Sequence, residues 1–282
     1  MIGGHLAELF TGLFDDASMF PPQDEPVQSA VTGHLAHRVA WYADMVGPFV
    51  CAAKRLTTID TLAAQHGVDR FDVTMVVPSG LETLGRAVES ARQCPRVRVV
   101  GVEVPLGAHP LVDALSHLVP LVSEERRVYV EIPVRTITEH HVHALAPTGV
   151  RLKLRTGGTS IEAFQSEGQL AVPIVLCAAE RLAFKCTAGL HHAIRHRDRS
   201  TLFEHHGFLN IALAARVAAG TGSHAATRAV LADRDPASVV RRVGALTAAD
   251  VRAVRALFTS FGTCSIDEPV NDLLEMGLVS VP

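Results

Sequence analysis

The chain lacks the features that mark several large classes of protein. Its formal net charge is only −3, so a basic surface of the kind that binds nucleic acid is not indicated. No apolar run approaches the roughly 20 residues that a membrane-spanning helix requires, and stretches such as IALAARVAA are interrupted by arginine. The beginning, MIGGHLAELF, has neither a basic segment nor a long apolar core, so we predict no secretory signal. We therefore expect neither nucleic acid nor a membrane as a partner.

Cysteine is scarce, and its spacing matches no pattern of paired thiols. The cysteines are Cys51, Cys94, Cys177, Cys186 and Cys264, an odd number without any CxxC motif. Disulfide frameworks and thiolate metal sites usually show characteristic cysteine spacings, and stable disulfides are typical of oxidising compartments. We expect reduced thiols and a cytoplasmic location.

Strand-like and helix-like segments alternate along the chain. Strands are predicted at 48–54, 71–77, 97–104, 127–134, 150–155 and 183–188, with a weaker first strand at 9–14 and a last one at 257–264. Such alternation indicates a parallel sheet, and eight units suit the ~250 residues typical of a (β/α)8 barrel. The main alternative is a doubly wound open sheet, but the GxGxxG phosphate motif found in many such folds follows none of the predicted strands.

We therefore predict the α/β class and a (β/α)8 TIM barrel formed as one domain by residues 1–282. The interval 193–256, between the seventh and eighth strands, is long for a single connection and contains helical patterns such as TAADVRAVRAL. We predict that it is a helical insertion. Thr247 has the right residue type to cap its last helix, with Asp250 three residues later.

Charged side chains fall on one face of several predicted strands. Because side chains alternate along a strand, the leucines of VRLKLR would face the surrounding helices while Lys153 and Arg155 face the lumen. The same alternation turns Lys185 inward in AFKCTA. In the similar sequences VEVP and VEIP it turns Glu103 and Glu131 inward. All of these residues lie near the carboxyl ends of their strands, where the active sites of barrel enzymes form.

Charge in a barrel lumen needs an explanation, because each desolvated ion loses several kcal/mol before any partner compensates. Paired ions that merely fill the lumen are one explanation. Leucine would fill the same space at lower cost, so we favour a functional site whose two lysines meet at the mouth of the barrel.

The two lysine strands resemble strands six and seven of deoxyribose-phosphate aldolase and related class I aldolases. The run KLRTG from Lys153 is similar to the family's K-T-S-T-G motif, which opens with the Schiff-base lysine. The run KCTAGLH from Lys185 is similar to the family's K-A-A-G-G-I-R. FVCAA at 49–53 resembles the family's second strand, Glu131 falls where its fifth strand carries a glutamate, and Asp15 lies near the aspartate of its opening segment.

The chain departs from this family at two positions. Gly101 stands where the family's fourth strand carries a proton-relay aspartate, and Glu103 lies on the same face two residues later. Arg155 stands where the family has a small serine, and a guanidinium there would suit a carboxylate or phosphate group of the substrate.

The resemblance implies an aldolase-type lyase that forms a Schiff base with a small anionic carbonyl compound and needs no cofactor. Lys153 would form the imine, and Lys185 would lower its pKa by like-charge repulsion. The proton shuttle would be Glu103, Glu131 or Asp15. The substrate-binding residues would be Arg155, Thr187, Gly157, Gly189 and His191.

Two other functions remain open at this point. His191 or His192, together with Glu103 and Glu131, would suit a divalent metal, which would make the barrel a metal-dependent lyase or isomerase. Alternatively, the barrel binds small anions without catalysis. The sequence also leaves open whether the chain forms a homo-oligomer.

Overall fold

Eight parallel strands close into a barrel in the computed structural model, which describes residues 4–281. The strands are β1 (Phe14–Asp16), β2 (Val46–Ala52), β3 (Phe71–Val76), β4 (Val97–Pro105), β5 (Arg127–Glu131), β6 (Arg151–Arg155), β7 (Phe184–Thr187) and β8 (Phe258–Thr263). Each strand pairs with its neighbours in chain order, and β1 closes the ring by pairing with both β2 and β8. The predicted TIM barrel is confirmed.

Helices surround the strands and connect them. They are α1 (Gly4–Phe10), α2 (Val27–His37), α3 (Leu56–Gln65), α4 (Leu81–Arg92), α5 (Leu111–Leu118), α6 (Glu139–Leu145), α7 (Glu167–Ala179), α8 (Phe208–Thr221), α9 (His224–Leu231), α10 (Pro236–Gly244), α11 (Ala248–Leu257) and α12 (Asp267–Glu275). Short 3₁₀ turns occupy Ala43–Met45, Ala53–Arg55, Val119–Leu121, Val134–Thr136, Ala146–Thr148 and Ile161–Ala163. None of the helices in the described part of the chain is long and apolar enough to cross a membrane.

The first strand begins later than predicted. Residues 9 and 10 belong to α1, and the strand runs over Phe14–Asp16 rather than 9–14. Leu6, Leu9 and Phe10 are buried in α1 at a helical spacing, and this helix packs against α11. Burial of that apolar face favours helix over strand here, since a short apolar run fits either conformation.

The connection between β7 and β8 holds α8 to α11 and also a short hairpin that the sequence did not predict. The hairpin pairs His196–Arg197 with Glu204–His205 in antiparallel fashion. Helix α11 begins as predicted: the Thr247 hydroxyl accepts a hydrogen bond from the Asp250 amide at 3.2 Å, and the Asp250 carboxylate accepts one from the Thr247 amide at 3.0 Å. All five cysteines are free and buried, in keeping with the expected reduced thiols.

An aromatic cluster fixes α8 against the barrel wall. The ring of Phe261 in β8 stacks on Phe208 of α8 with centroids 5.0 Å apart, and it contacts Phe14 of β1 at 5.4 Å. All three rings are completely buried. Because they join the strands that close the barrel, their packing contributes directly to closure.

We expect Phe261→Ala to lower the free energy of unfolding by about 3–5 kcal/mol, since it leaves a cavity among buried rings. Urea denaturation followed by circular dichroism measures the change. Val39→Ala is the control, because Val39 is 86% exposed and its truncation should cost less than about 0.5 kcal/mol. Similar losses in the two variants would contradict this account of the closure.

Candidate active site

The strand register places the two lysines side by side. Lys153 of β6 pairs in register with Lys185 of β7, and Glu131 of β5 pairs with Lys153 on its other side. Neighbouring residues in register on parallel strands project to the same face of the sheet. The pairing therefore brings three charged side chains into one region of the lumen.

A continuous chain of ion pairs runs through the lumen. Nζ of Lys153 lies 2.9 Å from Oε2 of Glu131 and 2.6 Å from Oε2 of Glu103. The other oxygen of Glu103 accepts a hydrogen bond from Lys185 at 2.5 Å, and Lys185 also donates to Oδ2 of Asp15 at 2.5 Å. The prediction that the lysines and glutamates share one lumen is confirmed, and Asp15 joins them.

The two lysines differ in depth. Lys185 is completely buried, whereas the side chain of Lys153 is 9% exposed and that of its partner Glu131 is 20% exposed. The prediction that both lysines meet at the mouth is therefore wrong for Lys185. Its strand places it next to Asp15 inside the barrel, and Lys153 and Glu131 are the more exposed members of the ion-pair chain.

Residues that the sequence pattern did not single out complete the buried end of the ion-pair chain. Ser260 of β8 donates a hydrogen bond to Oδ2 of Asp15 at 2.8 Å. The ring of Tyr129 lies 5.4 Å from Nζ of Lys185, within the range of a cation–π contact, and its hydroxyl pairs with Thr259 at 3.1 Å. Tyr129 lies two residues before Glu131 on the same face of β5, so the pattern that identified Glu131 could also have identified Tyr129.

The carboxylates hold both lysines in their charged form. Burial by itself lowers the pKa of Lys153, but the charges and hydrogen bonds of Glu103 and Glu131 outweigh burial and raise it. Burial is likewise outweighed at Lys185, where the charges of Asp15 and Glu103 raise the pKa well above its usual range. The prediction that Lys185 lowers the pKa of Lys153 is wrong, because Glu103 lies between the two ammonium groups and neutralises their repulsion.

The pKa values of Glu103 and Asp15, the two buried carboxyl groups of the ion-pair chain, move in opposite directions. Burial favours the neutral form of Glu103, but Lys153 and Lys185 overcome this and lower its pKa to about 2. Asp15 has a single lysine partner, so burial dominates and its pKa is raised. Asp15 therefore takes up a proton more readily than Glu103 does.

The predicted substrate-binding residues surround the mouth at the ends of β6 and β7. Arg155 is exposed, and its Nε donates to the Gly157 carbonyl at 3.1 Å. Thr187 pairs in register with Arg155 and is half-buried. The two glycines also have a structural role: a Cβ on Gly157 would lie 2.9 Å from the Cα of Gly189, and Gly189 has a φ of +71°.

The histidines after β7 contact α12 rather than the ion-pair chain. Nδ1 of His191 lies 2.9 Å from Glu268 and 3.7 Å from the sulfur of Cys264, and Nδ1 of His192 lies 3.2 Å from Asp272. Burial lowers the pKa of His191, but its hydrogen bonds to Cys264 and Glu268 outweigh burial and raise it to about 9. His191 is therefore a cation near the barrel mouth at neutral pH.

The alternative metal site is not assembled in this geometry. Its histidines contact Glu268 and Asp272, while its carboxylates, Glu103 and Glu131, hold Lys153. Across residues 4–281, no three histidine, cysteine, aspartate or glutamate side chains form a group that could hold a metal ion.

Comparison of the chain with protein-family profiles, curated proteins and solved structures finds no match. The structure itself defines the class: a (β/α)8 barrel, a fold that commonly carries enzymes, with charged residues inside its lumen.

Glu103 should be the most important residue of the ion-pair chain for stability. We expect Glu103→Gln to lower the free energy of unfolding at neutral pH by about 3–5 kcal/mol, since it leaves two buried ammonium groups short of a partner. The pKa of Glu103 is about 2 in the folded protein against an ordinary 4.5. Its stabilisation is therefore complete above about pH 4.5 and is lost as the pH falls through about 2.

Urea denaturation of wild type and Glu103→Gln at several pH values measures this contribution. The difference between the two proteins should shrink as the pH falls from about 5 towards 3. Glu89→Gln, which removes an exposed partner of Arg92, should cost less than about 1 kcal/mol at neutral pH. A difference that stays constant with pH would show that Glu103 stabilises the fold without its charge.

Proposed function

We propose that the protein is an aldolase-type lyase in which Lys153 forms a Schiff base with a small anionic carbonyl compound. The observation that supports this proposal is the ion-pair chain from Asp15 through Lys185 and Glu103 to Lys153. The last member of this ion-pair chain is Lys153, whose amine has access to solvent. It lies at the carboxyl ends of the strands, where catalytic residues of this fold are found.

Depth assigns different roles to the two lysines. A nucleophile has to reach a substrate carbon, and Lys153 is the partly exposed lysine of the pair, whereas Lys185 is completely buried. Lys185 stays protonated between Asp15 and Glu103. Its role is to fix the position of Glu103, which in turn orients Lys153.

The carboxylates around Lys153 are compatible with imine chemistry because of charge balance. An ammonium group and a carbonyl compound combine to give an iminium ion and water, and the site carries one positive charge before and after. Glu103 and Glu131 therefore stabilise the iminium ion as they stabilise the ammonium ion. The costly species is the neutral amine, which exists only briefly during attack.

Glu131 is suited to move the proton that this step requires. It lies 2.9 Å from Nζ of Lys153 and is itself partly exposed. It accepts one ammonium proton as Nζ attacks the carbonyl carbon. The former carbonyl oxygen then takes a second proton from Nζ and the first one from Glu131, so it leaves as water while Nζ keeps one proton in the iminium ion. Arg155, exposed at the mouth, then offers a guanidinium group to the anionic group of the substrate.

The resemblance to deoxyribose-phosphate aldolase is a further argument for this proposal. The residues that the resemblance selected, Asp15, Lys153 and Lys185, lie in one ion-pair chain. Glu103 takes the place of the family's relay aspartate. A side chain at Gly101 would collide with Thr74, since a Cβ there would lie 2.5 Å from the Thr74 hydroxyl. The carboxyl group is therefore carried by Glu103, which is two residues later on the same face of β4.

The chain offers a clean test because it contains only three lysines: Lys54, Lys153 and Lys185. Borohydride trapping with glyoxylate, pyruvate and acetaldehyde, read by intact mass and peptide mapping, should place an adduct on Lys153. Lys153→Arg should abolish it, since guanidinium keeps the charge but forms no imine. Lys185→Arg should retain part of it, since the paired charge remains.

Lys54→Arg is the matched control, because Lys54 is exposed and takes no part in the ion-pair chain, and it should trap as wild type does. Circular dichroism checks that each variant is folded. An adduct found only on Lys54 or the terminal amine, or none with any of the three compounds, would overturn the proposal. An adduct that survives Lys153→Arg and disappears in Lys185→Arg would reverse the two roles.

A second test uses the charge of Glu131. Removing that charge should lower the pKa of Lys153, because one of the two carboxylates that raise it is gone. We expect the midpoint of initial trapping rate against pH to fall in Glu131→Gln by about one unit or more. Glu131→Asp keeps the charge and should leave the midpoint near that of wild type. An unchanged midpoint in Glu131→Gln would mean that Lys153 is not the reacting amine.

A further inference from the structure

A cavity of about 540 Å³ opens at the amino-terminal end of the barrel, opposite the mouth that holds Lys153. Residues at the beginnings of the strands form its rim, including Asp72, Arg98 and Arg127. Its deep end reaches Asp15 and Ser260, on the far side of the ion-pair chain. The lumen is therefore accessible from both ends.

Small side chains explain why this end is open. Barrels of this fold usually fill the lumen with layers of branched side chains. Here Gly47, Gly101, Thr74 and Ser260 line that part of the lumen instead. A Cβ at Gly101 would lie 2.5 Å from the Thr74 hydroxyl, so no larger residue fits there without rearrangement. The packing of these residues maintains the cavity.

Both arginines and carboxylates line this cavity, and its carboxylates are Asp15, Asp72, Glu124 and Glu125. Its arginines are Arg38, Arg70, Arg98, Arg127 and Arg255. Asp72 pairs with Arg98 and, at 4.0 Å, with Arg70. Within residues 4–281, no carboxylate lies within 4.0 Å of the side-chain nitrogens of the other three arginines. Arg38, Arg127 and Arg255 thus line the cavity without a carboxylate at ion-pair distance in the described residues, although four carboxylates also belong to its lining.

Two of these arginines are suited to hold a ligand. Arg255 is fixed in place, because its guanidinium donates to the carbonyls of Phe258 at 3.1 Å and Thr11 at 2.9 Å. Arg127 is exposed at the rim. Burial, together with the positive charge of Arg127, lowers the pKa of Arg255 to about 10. An anion between the two groups would relieve their repulsion.

We propose that the amino-terminal cavity binds a small oxyanion, a carboxylate or a phosphate, between the guanidinium groups of Arg127 and Arg255. Guanidinium forks match the planar geometry of carboxylate and the oxygens of phosphate. The volume accommodates a metabolite rather than a single ion. This site is separate from the proposed Schiff-base site and does not depend on it, although Asp15 forms part of the wall between them.

Isothermal titration calorimetry at low ionic strength with two probes, inorganic phosphate and succinate, tests the proposal. We expect one saturable site per chain for at least one probe, and the comparison of the two distinguishes phosphate from carboxylate as the preferred group. Arg127→Gln should weaken binding by about tenfold, and Arg127→Glu should abolish it. Because the side chain of Arg127 is exposed, these variants should fold.

Arg86→Gln and Arg86→Glu are the matched controls, since Arg86 is an exposed arginine on α4 away from the cavity. They should bind as wild type does. Equal losses in the Arg86 and Arg127 variants would show a non-specific charge effect and overturn the site. So would the absence of saturable binding of either probe up to about 10 mM. Trapping at Lys153 is read separately, so failure here leaves the Schiff-base proposal intact.

Discussion

The carboxylate of Glu103 accepts one lysine on each of its oxygens, and the interior of the barrel depends on that shared interaction. Lys153 and Lys185 pair in register on adjacent strands, so without an anion between them their ammonium groups would repel inside a closed lumen. Burying either charge alone would cost several kcal/mol. Glu103 offsets this cost for both at once, and its own low pKa reflects the same attraction.

The ion-pair chain also divides the lumen into two ends. Lys153 and Glu131 lie at the carboxyl ends of the strands with limited access to solvent, and Asp15 lies at the other end beside a cavity rich in arginine. Between them Lys185 is completely buried. Charge placed at either end acts on the same connected set of carboxylates and amines, because the low dielectric of a protein interior transmits such interactions further than water does.

The surroundings of Lys153 favour a charged amine, which bears on the kind of chemistry the site can support. Two carboxylates raise its pKa and so favour an ammonium ion at this position. Aldolase chemistry through an iminium ion keeps that positive charge in place, whereas a step needing a persistent neutral amine would lose both ion pairs. The electrostatics of the site therefore fit an iminium intermediate better than a general base at Lys153.

Much of the fold and part of the site could be predicted from local pattern. The alternation of strands and helices indicated the barrel. The two-residue period of β4 to β7 identified the faces that carry Glu103, Glu131, Lys153 and Lys185, because the backbone geometry of a strand sets that period. The capping of α11 by Thr247 was equally local. Only the first strand was misplaced, where a short apolar run suited helix as well as strand.

The tertiary structure alone decided which charges meet, how deep they lie and which way each pKa moves. Asp15 and Lys185 are 170 residues apart in the chain, and Ser260 is 245 residues from Asp15, yet barrel closure brings all three together. Whether a lysine gains or loses affinity for its proton depends on the distance to each partner and on burial. Those quantities follow from the register and closure of the strands, which no local stretch of sequence contains.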